Sequence, residues 1–135
     1  MTEREIVESI INKKNIPKTV HVLGTEYSIE YVKISECEQL KDNHWCGLCS
    51  NASHIIMIGD TSEEEFFGVM SEEEQKIQTK RILRHEIIHA FLNESGLQDD
   101  SSNIYCGWAV NEEMVDWIAI QFPKMVKAFE EADCL

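Results

Sequence analysis

Residues 85–89 read His85-Glu86-Ile87-Ile88-His89, inside the apolar run Ile82–Leu92. On a helix, residues four apart are rotated by only about 40° and separated by about 6 Å along the axis, so their side chains project from one face. Two imidazoles placed this way converge on a single cation, and Zn²⁺ is the ion that takes such a pair. Glu86 lies about 100° around the axis from His85 and is expected to flank the metal, within reach of a metal-bound water, rather than ligate it. The competing reading is a pair of hydrogen-bonded core histidines. A chain of this composition would produce the pattern by accident roughly 0.025 times. Placement in an oily helical segment, where unpartnered polar groups are costly, favours the metal.

A catalytic zinc takes three protein ligands and keeps a fourth position for water, so a further ligand must come from elsewhere. The segment "NEEMVD", residues 111–116, lies on the next expected helix. "HEIIH" followed by "NEEMVD" resembles the gluzincin metallopeptidases, whose pattern is H-E-x-x-H and then N-E-x-x-x-D. The resemblance implies that His85 and His89 are ligands, Glu86 the general base, Glu112 the third ligand and Asp116 a partner for a ligand histidine. Asp116 has a physical rationale of its own: a carboxylate on the free ring N–H fixes the tautomer and makes the other nitrogen a better ligand. Glu113 competes with Glu112, but only Glu112 has an aspartate one turn later. Asn111 is open as a cap or a site residue.

"HEIIHAFL" with "NEEMVDWIAIQFPK" is similar to compact metallopeptidase-like proteins of bacteria and their phages, broadly the ImmA/IrrE type. The likeness covers residues 80–124, and Asp116 and Trp117 depart from that family's usual Glu-x-x-x-Asn followed by small residues. It implies intracellular proteolysis of a specific regulator, often a DNA-binding repressor. Zinc would polarise a peptide carbonyl while Glu86 takes and returns the proton. An extra oxyanion donor is expected from Tyr105 or His54. "HIIMIG", residues 54–59, is the candidate edge strand for an extended substrate. Cys46 and Cys49 form a CxxC without a second pair, so two small buried thiols in a hairpin are expected rather than a zinc knuckle or redox centre.

The elements that must position these groups follow from periodicity. Ile6, Val7, Ile10 and Ile11 predict a first helix over residues 3–14. "TVHVLGTEYSIEYVKI" alternates around Gly24-Thr25 as a strand pair, and "WCGLCS" with "HIIMIGD" as another. Between the pairs, "SECEQLKDNH" reads only as a polar stretch. Capping boxes at Ser62/Glu65 and Ser71/Glu74 start a short and a long helix, the long one running from about residue 72 to 94 and stopping at Gly96. Leu83, Ile87, Ala90 and Phe91 are expected to bury its far side. A last helix is expected from Trp108 to about Gln121, with Pro123 kinking it or opening a second segment. The expectation is one zincin-like α+β domain over residues 1–135: N-terminal helix, three or four strands, active-site helix and C-terminal helix.

The chain has 135 residues and a net charge of −13, which argues against nucleic acid as a partner. No run reaches the length of a membrane span. Five cysteines and no signal-like N-terminus point to the cytoplasm. The expected partner is a protein or peptide substrate, with oligomeric state open. A second reading keeps the charge foremost: an acidic interaction protein, anti-repressor-like, whose zinc site is structural or vestigial.

Overall fold

The computed structural model describes Thr2, Glu5, residues 16–97 and residues 107–135. The expected first helix therefore lies outside the described residues, and so does Tyr105. What is described is mixed α+β: a four-stranded sheet with helices along it. Strands β1 (Thr19–Val22) and β2 (Thr25–Val32) form an antiparallel hairpin. Its tight turn places both Leu23 (φ 48°) and Gly24 (φ 87°) in the left-handed region, as the turn that matches strand twist requires.

The polar stretch after β2 is not a loop. It holds a 3₁₀ turn at Ile34–Glu36 and the helix α1 (Glu38–Asn43), anchored by the fully buried Leu40. Strands β3 (Gly47–Ser50) and β4 (Ile55–Gly59) then pair antiparallel, and β4 joins β2 in parallel, giving the order β1-β2-β4-β3. Tyr27, Ile29 and Tyr31 alternate inward along β2 while Ser28 and Glu30 stay exposed. Opposite them in register, Ile29 meets Ile56 and Tyr31 meets Ile58. One face of the sheet is thus apolar.

A short helix α2 (Glu64–Phe67) leads to the long α3 (Glu72–Glu94), which covers that face. Ser71 caps α3 by accepting from Glu74 N–H, and Gly96 (φ 82°) follows its end. A buried polar latch joins β4 to the helix. Tyr31 donates to Asp60 at 3.0 Å, Thr61 N–H donates to the Tyr31 hydroxyl at 3.1 Å, and the Thr61 and Thr79 hydroxyls are 3.0 Å apart.

After a 3₁₀ turn at Trp108–Val110, helix α4 runs from Glu112 to Glu131 with Pro123 inside it. The helix continues through Pro123, so no second segment opens there. Asn111 is the cap, its side-chain oxygen accepting from Met114 N–H at 2.8 Å. Leu92, Ala109 and Val115 form a second small core where α4 meets α3, with Ile88 and Met114 against it. Among the described residues, no helix is long and apolar enough to cross a membrane.

Candidate metal centre

Helix α3 presents two working faces. Thr79, Ile82, Glu86 and Ala90 recur at helical spacing and are buried toward the sheet. His85 and His89 point instead toward α4, where they meet Glu112 in its first turn. The expectation that Phe91 helps bury the far side is corrected, since it is 44% exposed.

The histidine nitrogens converge. His85 Nε2 and His89 Nε2 are 3.1 Å apart, and Glu112 Oε2 lies 3.0 Å from the first and 3.2 Å from the second. The other nitrogen of His85, Nδ1, is 3.3 Å from Asp116 Oδ1. A proton on Nδ1 would face that carboxylate, which can only accept. A neutral His85 then directs the lone pair of Nε2 at the lone pairs of Glu112 Oε2. Two acceptors at this distance need a positive charge between them, either a proton or a metal ion. Three atoms mutually 3.0–3.2 Å apart share a point about 2 Å from each, which matches zinc bonded to imidazole and carboxylate. The donor set therefore fits a divalent cation, and these three residues form the candidate group.

Electrostatics tell the same story. Burial lowers the pKa of His85, but Glu112, Glu86 and Asp116 outweigh it and the net shift is upward. Hydrogen bonding to His85 and His89 holds the Glu112 carboxyl far below the usual carboxylate range. Glu86 is 6% exposed, and burial pushes it up to about 7, against the pull of His89 and His85 and with Glu112 adding to the rise. Three carboxylates thus differ in environment: Glu112 is held charged against the two rings, Asp116 lies beside His85, and burial pushes Glu86 up to about 7.

The cluster opens on a cavity of about 660 Å³, bounded by Trp45, Gly47, Cys49, Arg81, Glu86 and Glu112 among others. Its upper wall is β3, which corrects the expected placement of the edge strand. β4, carrying residues 55–59 of "HIIMIG", pairs on both sides, and among the described residues β3 is an edge strand, as β1 is on the other side. Gly59 N–H donates to Cys46 O at 2.8 Å. By antiparallel alternation, Gly47 and Cys49 turn their peptide groups away from β4, toward the open edge.

His54 is not brought to the site. Its ring lies 5.2 Å from that of Tyr27 and its Nε2 is 3.8 Å from Glu94 Oε1, beyond the far end of the histidine pair. Glu113 is exposed beside Glu112, without the histidine contacts that Glu112 makes. Cys46 is exposed rather than buried, while Cys49 is half-buried with its thiol pushed up to about 12 by burial and by the charges of Glu86 and Glu94.

Sequence reasoning missed two arginines. Arg81 Nη2 is 3.3 Å from Asp116 Oδ2, so a cation backs the carboxylate that orients His85. Its position four residues before His85 placed it on the same helical face and was a usable signal. Arg84 Nε donates to Ala119 O at 2.7 Å, a partner that no spacing rule reveals. Comparison with family models, with curated proteins and with solved structures finds no match to this chain.

Proposed function

We propose that this chain is a zinc-dependent metallopeptidase of the gluzincin type, with a zincin-like fold, hydrolysing peptide bonds in a protein substrate in the cytoplasm. The carrying observation is the convergence of His85 Nε2, His89 Nε2 and Glu112 Oε2 within 3.0–3.2 Å, with buried Glu86 one residue along. A two-imidazole, one-carboxylate set of this kind suits zinc. When bound, zinc acts as a Lewis acid toward a carbonyl and acidifies water.

The residues supply the rest. His85, His89 and Glu112 would hold the ion, and Asp116, backed by Arg81, fixes His85 with Nε2 free to ligate. Glu86, poised near neutral pH, takes a proton on a carboxylate oxygen from the attacking water and returns it to the leaving amine nitrogen. The outward peptide groups of Gly47 and Cys49 suit an extended segment added as a further strand, which lays its backbone along the cavity. The free thiols among the described residues accord with a reducing compartment. A specific intracellular or phage regulator as substrate rests on the likeness to ImmA/IrrE-type proteins alone.

The test is a paired measurement on protein purified without added metal: zinc per chain, and cleavage of a peptide library read by mass spectrometry. Glu86→Gln is expected to retain zinc and lose about 100-fold or more of the cleavage rate. Cleavage that survives in that variant with zinc still bound rules out catalysis by this centre.

A further inference from the structure

Pro123 lies in the interior of α4, yet the helix continues past it to Glu131. Proline has no N–H, so the carbonyl four residues earlier, that of Ala119, loses its intrahelical donor. Ala119 is 0% exposed, which leaves water a poor substitute. The missing donor comes from another helix: Arg84 Nε reaches Ala119 O at 2.7 Å.

The two ends of this bond are placed tellingly. Arg84 directly precedes the ligand His85 on α3, and Ala119 follows Asp116 by less than one turn on α4. We infer that Arg84 is a positioning residue for the metal centre: by supplying the donor that Pro123 withholds, it fixes the axial register of α4 against α3 and thereby brings Glu112 onto His85 and His89. The inference rests on the metal-centre reading above. A slip of one residue along a helix is about 1.5 Å, enough to take Glu112 Oε2 out of contact with both rings. The Arg81–Asp116 pair joins the same helices, but both side chains are more than a third exposed, where an ion pair is screened and weak. Arg84 bonds to a fixed main-chain atom at a buried residue, so to the non-directional apolar contacts of Leu92 and Val115 it adds a directional one.

The pairing with Pro123 gives a selective test. Pro123→Ala restores a main-chain N–H to Ala119 O and makes the arginine dispensable for it. Zinc affinity, measured by competition with a chromophoric chelator well below the melting temperature, is compared in the native chain, Arg84→Met, Pro123→Ala and the double variant. Arg84→Met is expected to weaken zinc binding about tenfold or more, as loss of a ligand-supporting contact does. In the Pro123→Ala background the same change is expected to weaken it by less than about threefold, since the two sites are coupled. Should Arg84→Met not fold, Arg84→Gln, too short to reach the carbonyl, takes its place in the same cycle. Zinc binding that is unchanged by the arginine substitution, or reduced equally in both backgrounds, overturns the inference. A native chain that binds no zinc overturns the metal-centre reading itself, and this inference falls with it.

Discussion

Gly47 on the edge strand lies directly over the carboxylate of Glu86: a Cβ at Gly47 would stand 3.1 Å from Glu86 Oε1 and 2.9 Å from Ile82 Cγ2. The backbone oxygen of Met57, at 3.0 Å from the same point, closes the other side. The absent side chain is therefore what lets strand and helix approach closely enough to bury the carboxylate. Gly47→Ala is expected to lower stability by about 1–3 kcal/mol, the usual range for overpacking. It should also displace Glu86 and reduce cleavage more than zinc content. Thermal melting together with metal analysis reads both, and native stability in the variant would contradict the packing argument.

Ligand assignment is separable from ligand support. His89→Ala and Glu112→Ala are expected to abolish stoichiometric zinc. Asp116→Asn, which leaves the three donor atoms in place, should weaken binding by roughly 10–100-fold. Glu113→Ala should bind as the native chain does, because its carboxylate is exposed outside the cluster. If Glu113→Ala loses zinc and Glu112→Ala keeps it, the third ligand has been misassigned.

The buried carboxyl of Glu86 makes the metal-free fold sensitive to base. Its pKa in the folded chain is about 7, against an ordinary value of 4.5, so between these values the folded state binds the extra proton. Stability must then fall as pH rises through that window. The loss is complete above pH 7 and amounts to roughly 3 kcal/mol at most. Glu86→Gln removes the charge, so the metal-free variant is expected to melt higher than the native chain above pH 7, with the gap closing below pH 5. Melting curves that stay parallel across this range would refute a buried, titrating Glu86.

Glu94 behaves in the opposite sense. Its carboxylate accepts hydrogen bonds from the Tyr27 hydroxyl at 2.6 Å and the Thr25 hydroxyl at 2.8 Å, which hold it below its ordinary pKa. A depressed carboxyl stabilises the fold above the unfolded value, and that contribution disappears as pH falls through the folded one. Glu94→Gln is expected to reduce the melting temperature at neutral pH and to flatten the acid limb of the stability curve. An acid limb unchanged by the substitution would show that another carboxylate governs it.

Much of the site was legible because its chemistry depends on short spacings. The i, i+4 pairs His85/His89 and Glu112/Asp116 do place two side chains each on one helical face, and the caps at Ser71 and Asn111 bound the helices that carry them. What escaped reading depends on tertiary context. Helix α1 is held by Leu40 alone, too little for a periodic signal. "HIIMIG" reads as an edge for substrate, although an unbroken apolar run is what an interior strand requires and the shorter "GLCS" is better suited to an edge. The place of His54 in the chain suggests a site residue, but the β3–β4 turn carries it to Glu94 at the C-terminal end of α3, past His89. Pro123 reads as a kink or the start of a second segment because the donor it lacks is supplied by Arg84, 39 positions away in the chain.

The sheet order carries a consequence for how the molecule assembles. β1 with β2, and β3 with β4, are ribbons closed by short turns, whereas the parallel seam between β2 and β4 first joins Ser28 to Ile55. Local ribbons zip quickly and a seam of that span waits on loop closure. Helix α3 packs against β1 on one side of the seam and against β3 and β4 on the other, so it has no complete bed until the ribbons merge. A chain in which that seam is open therefore lacks the full bed beneath α3, the helix that carries His85 and His89.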